Sequence, residues 1–126
     1  MIKEDYLMRQ IEIIARTLAK LLFDKDSADY EIKDYSVLTD TDKFHSRLCQ
    51  LINDRNLNEA ENLLFEKIED ELEENPDGRE YLQIAIDFYA RLNSLSSRIL
   101  DDCGFEREEI DEGIREVAEL YGFNII

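Results

Sequence analysis

The chain has 126 residues, 44% of them apolar, with four glycines, one proline and a formal net charge of −16. That length fits one domain over residues 1–126, and the apolar share is enough for a core, which excludes wholesale disorder. So much negative charge opposes contact with phosphates, which excludes nucleic acid and an anionic membrane surface as partners; a basic protein or a cation suits it better.

Residues 2–23 read as a long helix. Leu7, Ile11, Ile14, Ala15, Leu18, Leu21 and Leu22 recur at spacings of three and four on one face. Asp5, Arg9, Glu12, Arg16 and Lys20 follow the opposite ridge, with acid-before-base pairs four apart at Asp5–Arg9 and Glu12–Arg16. Tyr6 and Ile13 widen the apolar side, so this helix is expected to be covered on more than one side. Residues 24–38 lack a sustained period. They form a long connection that Tyr30, Ile32, Tyr35 and Val37 tack onto the core, or else a mobile flap or one that hides a helical turn.

A second helix begins near Thr39 to Thr41, where small polar residues offer N-caps. Phe44, Leu48, Leu51 and Ile52 form its stripe, and "NDRN" ends it. The third starts about Asn58, with Ala60, Leu64, Ile68 and Leu72 one above another, and Asn75, Pro76 and Asp77 stop it. The fourth, roughly 78–93, carries apolar residues on two faces and so packs between neighbours. A short helix over roughly 96–102 follows, Gly104 supplies a stop, and a last helix runs about 106–121 with Ile110, Ile114, Val117, Ala118 and Tyr121 inward. "FNII" is an apolar tail expected to pack back on the core. No segment alternates with period two for long enough to make a strand, so the fold class is all-α, with five main helices in antiparallel hairpins.

Helices two and three fit a tetratricopeptide unit, two antiparallel helices with a small residue where they cross. Ala60 takes the crossing position, Phe44 and Leu51 the aromatic positions, Leu57 the turn anchor and Leu64 the large position that follows. Leu48 departs from the pattern at the close-contact small position, and the proline comes one turn late. A shift of 37 residues carries Phe44, Leu48 and Leu51 onto Tyr81, Ala85 and Phe88, but it puts Ser97 where Ala60 should recur. A plain helical bundle gives a similar pattern, and both architectures stay open. Taken in order, "EDYLMRQIEIIARTLAKLLF", "EAENLLFEKIE", "YLQIAIDFYARLN" and "FEREEIDEGI" resemble a bacterial family of short helical proteins with no assigned function. That resemblance implies cytoplasmic, tetratricopeptide-like hairpins and supplies no active site.

Chemistry is sparse. Cys49 and Cys103 make no disulfide framework. Neither lies in a CxxC pair or near a histidine, and Cys49 reads as a core thiol. His45 is the only histidine. Zinc and di-iron motifs that need two are impossible, and His45 reads as structural or solvated, near an expected surface. No phosphate loop or nucleophile elbow appears, no signal peptide is visible, and no run of 18 uncharged apolar residues spans a membrane.

Acid concentrates in residues 57–78, with nine acidic and one basic side chain, and in residues 101–126, with nine and two. The first 25 residues carry five basic and four acidic. Glu66, Glu69, Asp70 and Glu73 share one ridge of the third helix and form the candidate partner-contact face. Because a tight cation site closes around its ion from several sides, this ridge reads as solvated rather than metal-binding. No catalytic, cofactor-binding or metal residue is assigned. The function expected is a small cytoplasmic, tetratricopeptide-like interaction module for a peptide or basic partner. The alternatives are a metal-dependent all-α hydrolase, nucleotide pyrophosphatase-like, that uses the acidic helix faces, and a structural homo-oligomer joined through the N-terminal helix.

Overall fold

The computed structural model describes residues 2–124, with the Ile2 side chain left aside, and holds six α-helices and no strand among them. They are α1 Ile2–Phe23, α2 Asp40–Asn53, α3 Leu57–Glu74, α4 Glu80–Asn93, α5 Ser97–Asp102 and α6 Arg107–Leu120. The all-α class and the order of elements follow the sequence reading, with ends shifted by one or two residues.

Local chemistry sets the boundaries. Thr39 caps α2: its hydroxyl accepts from the Asp42 amide while the Asp42 carboxylate accepts from the Thr39 amide, a reciprocal capping box. Between α2 and α3, Arg55 takes a left-handed φ of 67° and reverses the chain in three residues, so the two helices lie antiparallel and in contact. Ala60 is wholly buried in this hairpin, beside Leu57, Leu64 and Ile68.

The helix α4 is the centre of the fold. Ten of its fourteen residues are buried, and it packs against α1, α2, α3 and α6. Two apolar faces in its sequence require neighbours on two sides, which is what it has. The main partners of α1 are α4 and α6, not the hairpin it precedes, and residues 24–39 carry the chain across. A stacked repeat would instead set α1 against the helix that follows it. Arg107 is 4% exposed and ties the far end together: its guanidinium donates to the carbonyls of Asn93 and Leu95 and to Glu4 of α1.

Three expectations are corrected. Leu21, placed on the inner stripe of α1, is 75% exposed, because α1 turns its Leu18 and Ala19 side to the core instead. Tyr6 and Ile13 are likewise exposed, so no cover for the second apolar side of α1 is found among the described residues. In the connection, Tyr30 packs on the core and Ile32 is half-buried, but Tyr35 and Val37 stand in solvent. No helical turn forms there. A short turn at Asp34–Val37, with the Asp34 carboxylate accepting from the Ser36 amide, bends the chain away from the core. Phe123 packs back as expected; Ile125 and Ile126 of the tail lie outside the described residues.

Candidate functional site

The four acids of the candidate face lie where their spacing puts them. Glu66, Glu69, Asp70 and Glu73 are all exposed on α3, opposite the fully buried Leu64 and Ile68. Further acids, from α6, come close to α3 at another of its glutamates, Glu61. Glu61, on the flank of α3, is half-buried and accepts the Tyr89 hydroxyl at 2.7 Å. Its carboxyl is pushed above the ordinary value, first by burial and then by repulsion from Glu109, Glu116 and Glu112 of α6. Tyr89 reaches Glu61 across Gly113. A Cβ at position 113 would stand 2.5 Å from the Tyr89 ring, so glycine is what lets α6 close over it.

These acids do not gather around a point. Among the described residues, the one trio of metal-ligating side chains with atoms within 4.8 Å of one another is His45, Cys49 and Asp87. It lies in the interior, where α2 meets α4 under the connection.

Asp87 anchors that interior centre. It is 1% exposed on α4 and accepts three hydrogen bonds: from the Tyr30 amide at 2.9 Å, from His45 Nε2 at 2.7 Å and from Arg91 Nε at 2.7 Å. Arg91 is one turn further along α4, and His45 comes from α2. Tyr30 also lays its ring on the imidazole, with centroids 4.6 Å apart, and its hydroxyl donates to Asp42 and bonds Thr41 at the start of α2. The connection is therefore strapped over His45 at both ends of one tyrosine.

The charges support each other. Burial alone would push the His45 imidazole down. Its bond to Asp87 and the nearby Cys49 sulfur outweigh that and raise it to about 9, so His45 is a cation at neutral pH. Burial likewise works against the Asp87 carboxylate, but the bonds from His45, Arg91 and the Tyr30 amide hold it below the ordinary value. A buried carboxylate with three donors, two of them cationic, is an ion network whose polar capacity is used.

Two corrections follow. His45 is 7% exposed, not near the surface, and it has a specific partner. Cys49 is half-buried and does lie near a histidine: one turn along α2, its sulfur stands 3.6 Å from His45 Nε2 and 3.9 Å from Nδ1. Cys49, His45 and Asp87 still do not form a nucleophilic relay. Such a relay takes the nucleophile on one ring nitrogen and the carboxylate on the other, whereas here Asp87 occupies the nitrogen nearest the sulfur. A shallow crevice of ≈ 200 Å³, lined by Cys49, Ile52, Asn53, Arg91, Ser94 and Leu95, reaches the outer edge of this centre.

Fold and site together define an acidic all-α protein with a buried carboxylate–imidazolium–guanidinium network and an acidic outer side. The chain belongs to a family of unknown function, DUF6483, whose model matches residues 1–122. No curated protein matches the chain, and no solved structure does. No described helix is long and apolar enough to cross a membrane.

Proposed function

We propose that this chain is a small cytoplasmic protein–protein interaction module that takes a cationic peptide or a basic partner on the outer side of α3 and α6. The observation that carries the reading is where the charge sits. With eight acids and one lysine in α3, and six acids and two arginines in α6, these two helices hold a net −11 of the chain's −16. Crowded carboxylates repel one another, and Glu61, raised first by burial, is raised further by Glu109, Glu116 and Glu112 of α6. A cationic partner relieves it and is steered in by the same field. On this reading the α2–α3 hairpin, packed around the buried Ala60, serves as the tetratricopeptide-like element that presents the face. The metal-dependent hydrolase reading has less behind it, because the α3 and α6 acids are dispersed rather than convergent and the one close trio already shares its carboxylate with Arg91.

Fluorescence anisotropy with a labelled lysine- and arginine-rich helical peptide tests this. Binding is expected at about 0.05 M salt and to weaken at about 0.2 M. It should be lost when Glu66, Glu69 and Glu73 become Gln and Asp70 becomes Asn. Neutralising Asp24, Asp26, Asp29 and Glu31 of the connection instead, the same number of charges, should leave most of it. Absence of binding at low salt, or equal loss from both sets, removes the reading.

A further inference from the structure

His45, Cys49 and Asp87 bring three kinds of donor, nitrogen, sulfur and oxygen, to one place. One ligand atom of each lies within 4.8 Å of the others. His45 and Cys49 are four residues apart on α2, the spacing that puts two ligands on one face of a helix. Asp87 enters from α4, so the donors approach from two elements. That is what the row of acids along α3 lacks, since a bound ion needs ligands from several directions.

We propose that these three side chains bind one zinc ion, through His45 Nε2, Cys49 Sγ and Asp87 Oδ2, with the fourth position open to the crevice beside Cys49. A sulfur and an imidazole in one set select zinc over magnesium or calcium. A tetrahedral zinc holds nitrogen and sulfur ligands about 3.6 Å apart, and nitrogen and oxygen ligands about 3.4 Å apart. Nε2 and Sγ already stand 3.6 Å apart. Nε2 and Oδ2 are 2.7 Å apart because they share a hydrogen bond, and they open when the ion replaces its proton. Sγ is also 3.9 Å from Nδ1, so it swings toward the Nε2 side, into the room that the crevice of ≈ 200 Å³ leaves beside it. Binding is an exchange. Zinc enters, and the Nε2 proton of the imidazolium and the thiol proton of Cys49 leave to water. The thiolate and the Asp87 carboxylate then balance the two charges of the ion. Arg91 is the group that yields. It donates to the same Oδ2, but its side chain is 44% exposed and can turn out to solvent. The Tyr30 amide donates to the other oxygen, Oδ1, and stays to orient the carboxylate. The site does not depend on the acidic docking reading.

Titration of the reduced protein with cobalt(II), which takes the same tetrahedral geometry and reports sulfur ligation by its colour, tests it. One equivalent is expected to give a sulfur-to-cobalt charge-transfer band in the near ultraviolet, and one equivalent of zinc to abolish it. Cys49→Ser should lose the band with unchanged helix content, because Asp87 keeps its three donors. Cys103→Ser should keep it. So should the variant with Glu66, Glu69, Asp70 and Glu73 neutralised, which separates this site from loose attraction of cations to the α3 face. Arg91→Gln should bind zinc at least about tenfold tighter, since one charge-assisted hydrogen bond to Oδ2 no longer competes. Should Arg91→Gln lose its fold, wild type against Cys49→Ser decides alone. No charge-transfer band at millimolar cobalt, a band that survives Cys49→Ser or disappears with the α3 acids, or zinc binding that a folded Arg91→Gln weakens or leaves unchanged overturns the inference.

Discussion

Asp87 is a buried charge whose stability depends on its partners. Removing one partner of a buried pair leaves part of that charge uncompensated. His45→Ala is therefore expected to destabilise the fold by roughly 3 kcal/mol, with the Tyr30 amide and Arg91 still holding the carboxylate. The pH dependence has two limbs. The folded value of His45, about 9, lies above the ordinary 6.5 of a histidine, so its contribution is full below 6.5 and is lost as pH rises through about 9. Asp87 is lowered from 3.8, so its contribution is present above 3.8 and is lost as pH falls through the lower folded value. Urea midpoints followed from neutral to alkaline pH check this: the wild type should fall through that upper window and His45→Gln should not. Little of this centre was legible in the sequence. His45 and Cys49 four residues apart gave a helix-turn contact that composition-level reading passed over. Asp87 and Arg91 sit in the most apolar helix, where a buried acid with a base four residues on is the usable signal. Nothing local says that the acid faces inward toward α2 rather than out to water.

At the scale of elements, Gly113 lies against the Tyr89 ring and Ala60 is wholly buried between helices. Gly113→Ala drives a methyl into the Tyr89 ring and strains the bond to Glu61, and about 1–3 kcal/mol of destabilisation is expected from the overpacking. Ala60→Leu is expected to cost about the same, since Ala60 has no exposed surface in the α2–α3 hairpin. Urea unfolding of each variant measures both; an unchanged midpoint for Ala60→Leu would remove the hairpin crossing. Helix positions were legible because caps and apolar spacing are local. Thr39 with Asp42, and the stop at Asn75 and Pro76, carry their own chemistry. The connection was less legible: Tyr30, Ile32, Tyr35 and Val37 are alike in composition, and only the long-range partners Asp87 and Asp42 separate Tyr30 from the rest. The inner face of α1 at Leu21 was misplaced for a similar reason. Near the end of that helix the apolar residues run all round, and the positions of α4 and α6 decide which of them is covered.

Across the whole molecule, charge dominates what the surface can do. Glu61 is raised above 4.5 in the fold, so its ionised form costs stability above that value. Glu61→Gln keeps an acceptor for Tyr89 and removes the repulsion. It is expected to stabilise by about 0.5 kcal/mol at neutral pH after solvent screening, with the gain gone in acid where the glutamate is protonated. The concentration of acid in the second half of the chain was fully legible in the sequence, and Glu66, Glu69, Asp70 and Glu73 lie exposed as read. That α6 brings its own acids to Glu61 was not, because it depends on where α6 packs. The most direct measurement of the acidic side as a docking surface is a two-dimensional amide NMR titration with the cationic peptide. The expected result is a set of shifts confined to the outer amides of α3 around Glu66–Glu73 and of α6 around Glu109–Glu116. Shifts grouped on α1 or around the Arg91 crevice, or none at saturating peptide in low salt, would contradict it.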